Sequence, residues 1–112
     1  MTNLLKETEY ILKQNDIEIT DILWIGSSKD NFYIPLEHAL ELMDIDYDSG
    51  YGAQVVASDL IVVGKDWWLE RHEYDGSEWW EFKRMLIKPT ENKALNHVAG
   101  LMWATLSEIN GW

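Results

Sequence analysis

The stretch Trp67-Trp68-Leu69-Glu70-Arg71-His72-Glu73-Tyr74-Asp75-Gly76-Ser77-Glu78-Trp79-Trp80-Glu81-Phe82-Lys83-Arg84-Met85-Leu86 reads as a β-hairpin. Its arms, 67–74 and 77–86, are rich in aromatic residues that suit a pleated, half-buried surface. Asp75-Gly76 between them is a strong turn signal, because both residues tolerate the positive φ of a tight hairpin. Two registers are open: a two-residue loop, or a type I turn with a bulge at Gly76. Under either, alternation puts Trp80 and Phe82 on one face and Trp79 and Glu81 on the other. Trp80 and Phe82 are expected in the core. The register decides whether Trp67 or Trp68 joins them.

Moving outward, 59–63 (Asp-Leu-Ile-Val-Val) is a third strand, joined to the hairpin by the turn Gly64-Lys65-Asp66. Upstream, 21–26 and 31–34 form a second hairpin around Ser27-Ser28-Lys29-Asp30. Residues 3–14 carry Leu4, Leu5, Thr8, Ile11 and Leu12 at helical spacing, with Thr2 or Asn3 as cap and Asn15-Asp16 as stop. Pro35 suits the first position of a second helix, with the stripe Leu36, Ala39, Leu40 and Met43. Residues 44–53 read as an acidic, glycine-bearing loop, and 54–57 are ambiguous. After the break at Pro89-Thr90, Thr90 can cap a last helix whose stripe is Leu95, Val98, Met102, Leu106 and Ile109, stopped by Asn110-Gly111. The expected fold is α+β: a largely antiparallel sheet of about five strands with three helices, in one domain over residues 1–112.

Composition narrows the function. The 46% hydrophobic content suffices for a core in a chain of 112 residues. There is no cysteine, so disulfides, thiolate metal sites and cysteine nucleophiles are excluded. Residues 1–6 lack the basic start and apolar run of a signal peptide, and no run reaches membrane-spanning length, so an intracellular setting is expected. The net charge of -11 disfavours nucleic acid, whose phosphates need Lys and Arg, and suits a partner with a basic surface. The charge is uneven: residues 30–64 hold seven acids and no base, while residues 82–112 carry a net of +2.

No catalytic signature emerges. Asp44-Ile45-Asp46-Tyr47-Asp48-Ser49-Gly50 starts like a calcium loop, but its sixth position is Ser49 rather than glycine and its twelfth is Val55 rather than a bidentate Glu. A solvated acidic loop is the reading. Glu70, His72, Glu73, Asp75 and Glu81 cluster along the hairpin, where charge on a wet face is ordinary; a metal-dependent hydrolase using Glu70, His72, Glu73 and Glu81 is the alternative. His38 and His97 read as surface or boundary residues. Phosphate loops and nucleophile elbows are lacking, so no cofactor or metal site is expected.

Tryptophan is the unusual feature. There are seven: Trp24, Trp67, Trp68, Trp79, Trp80, Trp103 and Trp112. In each double-Trp arm one ring must face away from its neighbour. Either helices and Lys or Arg stems cover both faces, or some rings stand exposed as interaction anchors.

Three segments carry a resemblance: Asp46-Tyr47-Asp48-Ser49-Gly50-Tyr51-Gly52, Ala57-Ser58-Asp59-Leu60-Ile61-Val62-Val63-Gly64, and Trp67 through Phe82, with Leu23-Trp24-Ile25-Gly26-Ser27 in the same pattern. Together they resemble small proteins encoded by phages and prophages of Gram-positive bacteria. The resemblance covers about half the chain and carries over no functional residue. It implies a setting, a mobile element in the cytoplasm of a bacterial host. The expectation is a protein-binding inhibitor or modulator of a host protein, with a defence nuclease (anti-CRISPR or anti-restriction class) as the natural target. A phage assembly accessory is a further alternative. The residues expected to bind the partner are Asp44, Asp46, Asp48, Trp68, Glu70, Glu73, Asp75, Glu78, Trp79 and Glu81.

Overall fold

A computed structural model describes residues 1–50 and 52–111. Tyr51, in the segment that carries the resemblance, and Trp112, one of the seven tryptophans, lie outside the described residues. In chain order the elements are β1 (Thr2–Asn3), α1 (Leu4–Gln14), β2 (Trp24–Ser27), β3 (Phe32–Ile34), α2 (Leu36–Met43), β4 (Asp46–Tyr47), β5 (Leu60–Val63), β6 (Trp67–Tyr74), β7 (Ser77–Arg84) and α3 (Leu106–Ile109). The fold is α+β. Five antiparallel strands run in the order β3-β2-β5-β6-β7, and β1 pairs with β4 in a separate two-stranded ribbon.

Helix α1 follows its sequence signals closely. Asn3 caps it, its Oδ1 accepting from the Lys6 N–H at 3.0 Å. Leu4, Thr8 and Leu12, four residues apart, are its buried line. It ends in a Schellman turn: the N–H of Ile17 donates to the Leu12 carbonyl and that of Asp16 to Lys13, with Asp16 at φ 58°. Helix α2 starts one residue later than expected, because Pro35 is its extended N-cap (ψ 131°) rather than its first helical residue.

The hairpin β6–β7 settles the open register. Tyr74 pairs with Ser77 across a two-residue loop, and Asp75 and Gly76 both take positive φ, 50° and 85°. Trp67, Leu69, Arg71, Glu78, Trp80 and Phe82 therefore share one face. Trp67 joins the core, its ring 6.0 Å from that of Phe82. Helices α1 and α2 back this face, and Leu4, Leu12, Ile25, Ala39, Met43, Val62, Leu69 and Trp80 fill the space between.

The last helix is a correction. Residues 85–105 form no regular helix, Thr90 caps nothing, and only Leu106–Ile109 are helical, capped by Thr105. Gly100 (φ 140°) and Trp103 (φ 63°) interrupt the pattern. The reason is physical: a lone segment gains no burial from its apolar stripe, and short helices are marginal without it. Val98, Met102 and Trp103 are 79%, 83% and 94% exposed. The segment also lengthens the molecule: its radius of gyration is 18.0 Å, against about 13 Å for a compact chain of this length.

Candidate functional site

Two clusters of polar and aromatic side chains flank the sheet, one under the helices and one on the bare face. The first is buried. Arg71 lies with its guanidinium 4.8 Å from the centre of the Trp80 ring and 5.6 Å from that of Tyr47. It donates to Glu78 at 2.9 Å, to the Tyr47 hydroxyl at 3.0 Å and to Glu7 at 3.3 Å. Tyr47 in turn donates to Glu7. Burial, with the Glu7 bond beside it, pushes the Tyr47 hydroxyl up to about 12, so it stays neutral. Glu78 also accepts from the N–H groups of Val55 (2.6 Å) and Val56 (3.0 Å). Its burial alone would raise its pKa. The two backbone donors and Arg71 outweigh that and hold the carboxyl below the usual range. This network pins the 53–57 loop and β4 to the hairpin, so its role is architectural. Glu78 accordingly leaves the expected partner surface: its side chain is 2% exposed.

The second cluster lies on the opposite, uncovered face. The registers place Tyr33, Trp24, Ile61, Val63, Trp68, Glu70, His72, Trp79, Glu81 and Lys83 on it. Trp68 stands opposite Lys83, and His72 opposite Trp79. The Trp68 indole N–H donates to Glu70 at 2.8 Å, and the other Glu70 oxygen is 2.9 Å from His72 Nε2. The Trp68 bond, then His72, hold the Glu70 carboxyl below its usual value. The Trp68 ring is thus tied to Glu70 by its own indole N–H. At the β3 edge a groove of about 430 Å³ is lined by Leu23, Trp24, Ser27, Asn31, Phe32 and Tyr33. Trp24 and Trp68 lie in one row across the face and Trp79 two rows away, with the Glu70–Glu81 pair between them, so the surface mixes aromatic rings with charge; aromatic residues are enriched at interfaces.

The expected surface thus separates into parts. Trp68, Glu70, Trp79 and Glu81 are brought together on the bare face. Asp44, Asp46 and Asp48 are exposed, but they belong to the helix layer: Tyr47 turns inward to Arg71, so its neighbour Asp46 points away from the sheet. Asn3 Nδ2 donates to Asp44 and Asp46 at 2.9 and 3.1 Å. Asp75 sits in the turn, and Glu73 falls on the covered side of β6, opposite Glu78. Glu73 therefore lies on the opposite face from Glu70, His72 and Glu81 and does not converge with them. Among the described residues, no three His, Asp or Glu side chains are grouped to hold a metal ion. Trp24, Tyr33, Ile61 and Val63 were not among the expected contact residues. Alternation along each strand marks their face only once the strand order is known.

No family model matches this chain, and neither a curated protein nor a solved structure does. Among the described residues, no helix is long and apolar enough to cross a membrane.

Proposed function

We propose that this is a non-enzymatic protein-binding module whose partner docks on the bare sheet face. The observation that carries the reading is that Trp24, Trp68 and Trp79 share the face opposite the helices, where Trp24 and Trp68 are half-buried and Trp79 is exposed, while α1 and α2 pack on the other face. Trp is the residue most enriched among binding hot spots, and a ring held by its own hydrogen bond loses little freedom on docking. The net charge of -11 supports a partner with a basic surface. With the resemblance to phage and prophage proteins, the reading is an inhibitor or modulator of a host protein. A defence nuclease fits, because its Lys- and Arg-lined channel for phosphates would meet the acidic body.

The test is capture with the tagged protein from a nuclease-treated Gram-positive lysate, run beside a Trp68→Ala/Trp79→Ala variant. One stoichiometric host protein is expected with the native chain. It should be lost with the variant and released as salt rises. Equal capture by both chains would refute docking on this face, and capture indifferent to salt would remove the basic partner.

A further inference from the structure

Among the described residues, two surfaces that carry aromatic or apolar side chains have no element of the fold packed on them, and they belong to one chain. One is the bare sheet face. The other is the C-terminal segment, where Leu95, Val98, Met102, Leu106 and Ile109 recur at helical spacing while Val98, Met102 and Leu106 stand exposed. We infer that residues 91–109 are a strap for the bare face: they close over Trp24, Trp68 and Trp79 as an amphipathic helix, and a partner must displace them. This rests on the docking face proposed above and adds its regulation.

Reach permits the closure. The segment leaves the sheet at the end of β7, an edge strand, where the Met85 N–H donates to the Asp66 carbonyl at 2.8 Å. Residues 85–90 can span about 20 Å. The sheet is about 19 Å wide from β3 to β7, and a helix over 91–109 would be about 28 Å long. One helix therefore crosses the face. In the open form shown here, the segment's bonds close locally: Asn110 accepts from the N–H groups of Asn96 and His97 and donates to the carbonyls of His97 and Leu106. Gly100 and Trp103 are the two positive-φ positions that must turn helical. Glycine makes that change at little steric cost.

Charge selects the occupant. Residues 85–112 hold Lys88 and Lys93 against Glu91 and Glu108 and are neutral, so the whole excess of -11 sits on residues 1–84. A face-to-face pairing of two such bodies sets like charge against like charge. The neutral strap meets no such repulsion, and its tether gives it a high effective concentration.

The chain has no cysteine, so a nitroxide can be placed at one position of the full-length protein by Met102→Cys. The expected result is paramagnetic loss of the Trp68 and Trp79 indole N–H signals, with Trp80, behind the sheet, much less affected. Intact signals at Trp68 and Trp79 would overturn the strap. So would losses seen only between spin-labelled and separately isotope-labelled chains, which would make the occupant a second copy. A second variant, Met102→Cys with Glu81→Cys, locks the strap when oxidised. Partner capture should be lost on oxidation and restored on reduction; equal capture in both states would overturn the displacement. The spin-label result stands alone if no partner is captured. Conversely, a Trp68→Ala chain that still captures its partner would sink the docking face without touching the strap.

Discussion

At the scale of the residue, Arg71 and Glu78 show what burial demands. A guanidinium in the core is tolerated because Glu7, Glu78 and the Tyr47 hydroxyl accept from it and two rings flank it. Taking away the buried Glu78 charge leaves Arg71 undercompensated. Glu78→Gln is expected to cost about 3 kcal/mol in urea unfolding. The pH dependence has a definite sign. Glu78 is held below its ordinary 4.5, so its contribution is present above that value and is lost as pH falls through the folded-state value. The unfolding midpoint should drop as pH is lowered below 4.5, and Glu78→Gln should flatten that limb. Thr8 makes a second test. Its hydroxyl accepts from the buried Trp80 indole at 2.9 Å and donates to the Leu4 carbonyl at 2.8 Å. Thr8→Val strands the indole N–H and should cost about 1–3 kcal/mol.

At the scale of the element, β2 and β3 meet through a glycine. A Cβ on Gly26 would lie 2.2 Å from the Phe32 carbonyl oxygen and 2.7 Å from the Tyr33 Cα, and backbone cannot swing aside as a side chain can. Gly26→Ala should therefore cost about 1–3 kcal/mol, with amide exchange accelerating first across β2–β3. The hairpin shows the opposite case, an element written almost wholly in local sequence. Asp75-Gly76 takes the tight turn that its positive-φ tolerance allows, and the turn then fixes which Trp of each pair is buried. The C-terminal stripe was equally regular, yet periodicity alone did not make a helix. A stripe is a demand for a covering surface, and the segment has none in this conformation.

At the scale of the whole molecule, the decisive feature is that the helices back one face of the sheet. That asymmetry makes the paired tryptophans unequal. Trp80→Ala is expected to cost about 3–5 kcal/mol, since the ring is buried. Trp79→Ala should cost under about 1 kcal/mol, the worth of one cross-strand contact with His72. Unfolding midpoints for the two variants measure the face assignment directly. A Trp79 variant as damaging as the Trp80 one would contradict it.

The sequence by itself determined the local pieces: the capped first helix, both hairpins, the α+β class, the buried position of Trp80 and the half-buried one of Phe82 beside the core. These follow from spacing, caps and turn residues, which act over a few neighbours. It could not give the partner of the acidic loop. Asp46–Tyr47 became a strand only because Thr2–Asn3, more than forty residues away, lies beside it. Nor could it tell that Glu78, drawn among the surface acids, would turn inward to Arg71 and the Val55–Val56 backbone. Both outcomes depend on contacts between segments far apart in the chain. Only the tertiary structure decided which sheet face the helices cover, and with it that Trp24, Trp68 and Trp79 share the face without helices while Asp44, Asp46 and Asp48 lie in the helix layer. Alternation assigns side chains to two faces, but packing alone says which face is wet.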